Sequence, residues 1–332
     1  MAMRWLLMVL PFALWGSSMA AMKLVMPHSD PLTVGCLRIL PAALLLFAVQ
    51  LLLRRPLGVA LDSWGWLLLF SLVDGTLAQG LLVLGLEHTG AGLGSVLIDT
   101  QPLLVALYAR TLFSERINPI GWSGLLLGVV GVLCLGLPSG LLEQLGNGSA
   151  EAVPLHWSGG EPLMLGSALC MASGTVLCRF AAQESDPLAV TAWHLLIGGL
   201  PLLLVDLLQG GSVTALAAGD WWLMAYVALG GTALGYGLFF WFANRVELTG
   251  FTALSFLTPV FALLCGLLLQ EQLAPLQWLG VALVLTSTVL IGQRQHLWRE
   301  EDQGLRVFDR FFRRFAPVSA ALPSDRTSGT DH

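Results

Sequence analysis

Six residue pairs stand at one fixed separation along this chain. Asp30/Asp186, Gly75/Gly231, Glu115/Glu271, Pro119/Pro275, Trp122/Trp278 and Gly124/Gly280 are each 156 positions apart. A repeat at one interval implies a duplicated unit, so the fold must accommodate two copies of one arrangement. Each copy holds five apolar stretches. They lie at about 5–22, 32–53, 64–86, 91–113 and 119–137 in the first copy, and at about 162–182, 188–208, 221–242, 248–269 and 275–292 in the second. Crossing roughly 30 Å of hydrocarbon takes about 20 mainly apolar residues, which these stretches supply. An odd number of crossings per copy turns the second copy upside down in the bilayer. The expected fold is therefore an all-α integral membrane protein of ten transmembrane helices, arranged as two inverted five-helix repeats.

The composition agrees. Of 332 residues, 56% are hydrophobic and 11% charged, with a mean hydropathy of +0.77, whereas soluble domains carry about 25% charge. The predicted organisation is a first repeat over 1–137, an extracytoplasmic loop over 138–160, a second repeat over 161–293 and a cytoplasmic tail over 294–332. Placing the N-terminus inside puts 14 of the 16 Lys and Arg residues on the cytoplasmic side. The exceptions are Lys23, at the outer end of the first stretch, and Arg38, within the second. That bias predicts two cytoplasmic termini. Arg4 ahead of the first stretch and Ser18-Met19-Ala20 late in it mimic a secretory signal. Its repeat counterpart at 162–182 is mid-chain, so the first stretch is expected to stay as a permanent helix.

The net charge of −5 comes from acidic residues scattered over loops and tail, and it implies no nucleic-acid surface. Cys36, Cys134, Cys170, Cys178 and Cys265 lie in apolar stretches without metal-like spacing. They indicate core packing rather than a disulfide framework or zinc site. No metal or cofactor is expected.

The strongest repeated block is Glu-x3-Pro-x2-Trp-x-Gly, written at Glu115–Gly124 and again at Glu271–Gly280. Pro119 and Pro275 suit the first turn of a helix, where the missing N–H would be unpaired anyway. The two glutamates fall at membrane edges and are expected to be solvated. Thr100-Gln101-Pro102 and Leu257-Thr258-Pro259 place an interior proline in the fourth and ninth stretches. Such a proline frees a carbonyl and bends the helix, so both are expected to face the bundle interior. The tail carries a basic amphipathic stretch at about 297–315 that suits an anionic lipid surface. Residues 317–332 have the composition of a disordered segment. Asn147-Gly148-Ser149 matches a glycosylation sequon and is taken as chance.

Trp15-Gly16-Ser17-Ser18 leading to Lys23, Arg38 early in the second stretch, and the twice-written Glu-to-Pro-to-Gly run resemble the EamA family of the drug/metabolite transporter superfamily. The resemblance covers about residues 5–292 as two tandem units. It implies a secondary transporter of the cell inner membrane that exports amino acids or other small metabolites. The copies differ in places. His194 stands where Arg38 stands in the first copy, and Arg179 is not matched to Lys23, so symmetric charge is not expected.

Ionisable side chains inside spans cost roughly 2.5–3.5 kcal/mol on insertion scales, so they mark interior, functional positions. Arg38 is the candidate anchor for a carboxylate or other anionic group, because a guanidinium is always charged and donates in parallel pairs. An internal ion pair with Asp74 or Asp99 is the competing expectation. Asp74, Asp99 and His194 are candidate proton-coupling groups. Trp15, Gln79, Gln101, Tyr236, Trp241, Asn244, Ser255 and Thr258 are expected to line the substrate cavity.

The leading reading is alternating-access movement of a small molecule, with protons and membrane lipids as further partners. A lipid-substrate enzyme would carry clustered catalytic or metal-binding residues, and the chain has no such motif. A membrane sensor would bind without flux. No Walker-type motif is present, so ATP coupling through this chain is not expected.

Overall fold

The computed structural model of the chain describes residues 2–89, 97–136, 159–211, 213, 216–268 and 275–297. Every regular element among them is helical. The first half contains α1 (Ala2–Val25), α2 (Pro31–Leu52), α3 (Leu61–His88), α4 (Gln101–Leu112) and α5 (Pro119–Gly136). The second contains α6 (Gly160–Ala181), α7 (Pro187–Leu208) and α8 (Ala218–Ala243). It continues through a broken helix, α9, made of Leu248–Thr252, a tight turn Ala253–Phe256 and Leu257–Leu268, to α10 (Pro275–Leu297). Seven helices are long and apolar enough to cross a membrane, and the described parts of α4, α5 and α9 are shorter. Leucines such as Leu44, Leu204 and Leu208 stand more than half exposed along the rods, as a lipid-facing surface requires. Glu271, the Asn147-Gly148-Ser149 sequon and the tail from 298 lie outside the described residues.

Prolines start four of these helices. Pro31, Pro119, Pro187 and Pro275 each occupy a first turn, where the fixed φ is already helical. Asp186 adds a cap, its Oδ1 accepting from Leu188 N at 2.9 Å. Pro102 likewise sits in the first turn of α4, after a turn at Asp99–Thr100. It follows a break in the helical path, since residues 97–98 are helical and the turn separates them from α4. Pro259 follows the tight turn that interrupts α9, so in that half too the expected break is real.

Two features follow the 156-residue interval in ways sequence inspection missed. Ser71–Ala78 within α3 and Val227–Leu234 within α8 are both π-helical, and their bounds differ by 156. Such stretches are rare and wider than an α-helix. Each contains a Gly-Thr pair. A Cβ on Gly75 would meet Gly198 Cα and the His194 carbonyl at 2.9 Å, so α3 and α7 touch backbone to backbone. Thr76 Oγ1 reinforces the crossing by donating to Gly198 O at 2.7 Å.

The second feature corrects the reading of Lys23 and Arg179 as unmatched. Lys23 Nζ donates to Leu86 O at 3.0 Å and lies 3.5 Å from Thr89 O, at the end of α3. Arg179, 156 residues later, donates from Nε to Ala243 O at 2.7 Å and from Nη2 to Val246 O, at the end of α8. Each cation satisfies orphan carbonyls at a helix C-terminus within its own unit, where the helix dipole also favours positive charge. Equivalent positions do equivalent work with different side chains.

Packing crosses the two units throughout. α1 lies on α8 and α6 on α3, while α2 pairs with α7 and α5 with α10. Glycines permit the close approaches: a Cβ on Gly280 would lie 2.7 Å from Gly131 O, and one on Gly16 would lie 2.4 Å from Thr258 O. Glu115 is no solvated edge carboxylate. It accepts from Leu248 N at 2.8 Å, Thr249 N at 3.1 Å and Thr249 Oγ1 at 2.8 Å, capping the start of α9.

Candidate functional site

Between the two units lies an interior cavity of about 70 Å³. α1 contributes Trp15, Ser18 and Met22, α2 contributes Arg38, and α3 contributes Asp74. Asp99 and Gln101 reach it from the start of α4. From the second unit come Thr175 on α6, Tyr236 on α8, and Ser255 and Thr258 at the break in α9. Met19, Leu82, Ile98, Met171, Phe239 and Phe240 complete an apolar wall. Both helix interruptions, at Asp99–Thr100 and at Ala253–Phe256, therefore open onto the same space. Irregular backbone at such depth is tolerated where it lines a cavity.

Arg38 is 6% exposed. Its Nη2 donates to Gln79 Oε1 and its Nη1 faces Met22 Sδ at 3.5 Å, while Nε has no partner. Among the described residues no carboxylate lies within ion-pair distance of it. The expected pairing with Asp74 or Asp99 is not formed. Asp74 Oδ2 instead stands 2.9 Å from His194 Nε2. This is a close approach off the in-line direction, since neither atom completes a hydrogen bond there. His194 is fully buried and stacks on Phe70 at 3.9 Å. It meets the cavity lining through Asp74 and through ring contacts with Tyr236 and Phe240, at 6.4 and 5.6 Å. Gly174 makes the space for that carboxylate, because a Cβ there would lie 2.4 Å from Asp74 Cβ.

Gln79 joins the halves. Its Nε2 donates to Tyr236 OH at 2.7 Å while its Oε1 accepts from Arg38. These residues are 157 positions apart, and they meet where the two units face each other. With one lone pair of the Tyr236 oxygen engaged by Gln79, the phenolic proton remains available to donate. Trp15 tilts against Tyr236 at 5.2 Å, and its Nε1 is buried without a partner. The hydroxyls of Ser18, Ser255 and Thr258 are also buried without partners. Buried polar groups are normally hydrogen-bonded, and a cluster left open points to a guest that completes it. The open groups are chiefly donors.

The structure thus brings Trp15, Arg38, Asp74, Asp99, Gln101, Tyr236, Ser255 and Thr258 to one cavity, with Gln79 and His194 directly behind it. Trp241 and Asn244 are placed elsewhere. They lie five and eight residues beyond Tyr236, about 7.5 and 12 Å further along the helix at 1.5 Å per residue. Trp241 carries the Arg245 guanidinium at 3.3 Å from its ring centre and that of Arg55 at 4.6 Å. Asn244 donates to Phe240 O at 2.7 Å and Cys178 Sγ at 3.2 Å. Sequence reasoning missed Ser18, Met22 and Gly174. Ser18 was within the first motif and needed only the helical spacing from Trp15. Gly174 has no signal of its own without knowing that Asp74 faces it.

A bundle of membrane-length helices whose two halves enclose a small, mainly apolar cavity with a few buried polar groups defines a polytopic membrane protein of the solute-transporting class. The chain belongs to the EamA-like transporter family, which it matches over residues 3–137 and again over 158–293. It is 46% identical over 300 residues to an uncharacterized transporter of Synechocystis, covering 88% of this chain and 90% of that protein. A WAT1-related chloroplastic protein of Arabidopsis thaliana is 41% identical over 295 residues, 87% of this chain and 69% of the relative. A probable amino-acid metabolite efflux pump of Escherichia coli is 27% identical over 291 residues, 85% and 92% of the two chains. One solved crystal structure superposes with a TM-score of 0.71 at 17% identity, over 86% of this chain and 96% of that one. That likeness concerns the fold.

Proposed function

We propose that this protein is a secondary active transporter that exports a small metabolite bearing an anionic group, such as an amino acid, across the cell inner membrane by alternating access. One observation carries the reading: Arg38 is a buried guanidinium, facing an interior cavity, with no carboxylate within ion-pair distance among the described residues, although Asp74 and Asp99 line the same cavity. A buried charge without a counter-ion costs several kcal/mol, so its retention points to a ligand that supplies one. Arg38 Nε, Trp15 Nε1 and Tyr236 OH supply donors for a carboxylate. Gln79 positions Arg38, and Gln101, Ser255 and Thr258 orient the rest of the guest.

Asp74, Asp99 and His194 are the proposed proton-coupling groups. Asp74 links the cavity to His194, and Asp99 has no ion pair among the described residues. Protonating Asp74 would weaken its hold on His194, giving substrate and proton a shared structural reporter. Export, rather than import, follows the family resemblance and the name of the Escherichia coli relative, a probable efflux pump. Both termini are assigned to the cytoplasm by the basic-residue bias.

Ten crossings in two inverted five-helix units complete the proposal. What supports the inversion is the exchange of equivalent parts, α1 on α8 and α6 on α3, together with equivalent caps inside each unit, Lys23 on the end of α3 and Arg179 on the end of α8. Rocking of one unit against the other around the Gln79–Tyr236 contact then exposes the cavity to each side in turn.

Ligand-induced thermal stabilisation of the purified protein, across amino acids and other small metabolites, tests the binding half of this reading. A carboxylate-bearing ligand should raise the unfolding temperature of the wild type and not of Arg38→Ala. Equal stabilisation of both proteins would remove Arg38 from the site.

A further inference from the structure

A second cavity, of about 630 Å³, opens where α4, α6 and α8 end and α7 begins. It shares no lining residue with the central cavity, and its volume falls within the range of small-molecule sites. Phe113 forms an apolar side. The polar lining consists of Arg179, Gln183, Ser185, Asn244 and Arg245. Two guanidinium groups are thus the charged groups of the lining, and no lining residue is a carboxylate.

Of the carboxylates nearby, Glu184 is exposed to solvent, and Asp186 and Glu115 are already engaged. Asp186 Oδ2 lies 3.3 Å from Arg55 Nε, while its Oδ1 caps Leu188. Glu115 caps α9, with Oε1 3.8 Å from Arg179 Nη1. Glu247 contributes to the field at Arg179 from outside the lining. Arg245 donates to Trp241 O at 3.2 Å and stacks on the Trp241 ring, but among the described residues it has no carboxylate within ion-pair distance. Arg55 stacks on that same ring. The Asp186 carboxylate paired with Arg55 offsets the repulsion between these two guanidinium groups, so the demand for an anion comes from the lining itself, where Arg179 and Arg245 stand among neutral polar groups.

We propose that this cavity is a second ligand site, for a small anion carrying a carboxylate or phosphate. Arg245 and Arg179 supply the charge. Asn244, Gln183 and Ser185 supply neutral hydrogen bonds that orient an oxyanion. The site stands apart from the central cavity, so it is occupied independently of any cargo. Its anion comes either from solution or from the headgroup of an anionic phospholipid, and the lipid environment separates these sources.

The test uses the full chain in nanodiscs of phosphatidylcholine. Inorganic phosphate and succinate are titrated by isothermal calorimetry at constant ionic strength. Parallel discs contain phosphatidylglycerol, with retained lipid counted by native mass spectrometry. Arg245 is exposed, so Arg245→Gln is expected to fold, and an unchanged unfolding temperature confirms it. The expected result is saturable binding of at least one probe, weakened tenfold or more by Arg245→Gln, largely restored by Arg245→Lys and untouched by Arg38→Ala. Retention of phosphatidylglycerol that Arg245→Gln abolishes would support the same site with lipid as its source. Binding lost in Arg38→Ala but kept in Arg245→Gln would assign the anion to the central cavity and overturn the proposal. So would the absence of both probe binding and lipid retention.

Discussion

Arg38 and Asp74 show how one residue's neighbours decide its role. Both line the same cavity, yet Arg38 is held by the neutral amide of Gln79 while Asp74 is held by His194. In the proposed function the arginine therefore keeps its charge for a guest. A hydrogen bond to a charged group contributes about 1.5–3 kcal/mol, or roughly ten- to hundredfold in affinity. Arg38→Ala should weaken carboxylate binding by about that factor, with Arg38→Lys intermediate, as titration of a bound ligand would read out. Gly174→Ala should be costly for a different reason. Its methyl would overlap Asp74, an overpacking cost of about 1–3 kcal/mol, seen as a lower unfolding temperature. Proton coupling belongs to the same scale. Asp74→Asn and Asp99→Asn should abolish flux driven by a pH gradient while leaving counterflow exchange of substrate measurable. Full gradient-driven flux in both variants would sink that role.

At the scale of helices, side-chain caps hold the bundle together, two within a unit and one across the units. Lys23 and Arg179 perform one task on opposite ends of the molecule, and Glu115 holds the start of α9. Lys23→Ala and Arg179→Ala should each destabilise by about 1.5–3 kcal/mol through lost charged hydrogen bonds. Glu115→Ala should cost about 1–2 kcal/mol through the lost cap. A scan of unfolding temperatures would place all three below wild type. Helix positions were legible in the sequence because apolar length and first-turn prolines are local signals. α2 at Pro31–Leu52 and α7 at Pro187–Leu208 begin and end within a residue of the apolar stretches that predict them. The π-helical stretches were not legible, since they accompany close packing against partners far away in sequence, Gly75 on Gly198 and Gly231 on Ser18. Glu115 was misread for the same reason: its partners Leu248 and Thr249 lie more than 130 residues away. The duplicated glutamate was visible, but its task depends on which helix end it faces. The cavity was legible in part. Rare charges inside apolar stretches pointed to Arg38, Asp74 and Asp99, whereas Trp241 and Asn244 were drawn in by residue type without regard to their height along α8.

At the scale of the whole molecule, the duplication gives two units that share one cavity and exchange their first helices. Because Gln79 and Tyr236 bridge the units beside Arg38, motion of one unit against the other changes the surroundings of the anchor. Binding and movement are thereby tied to one set of contacts. The measurement that tests this account most directly is substrate flux into proteoliposomes containing only this protein, with and without an imposed pH gradient, for wild type and Arg38→Ala. The account predicts saturable flux in the wild type, driven by the gradient, and its loss in the folded Arg38→Ala protein. A folded wild-type protein that binds a metabolite at Arg38 but moves none of it would contradict the transport claim and leave a sensor.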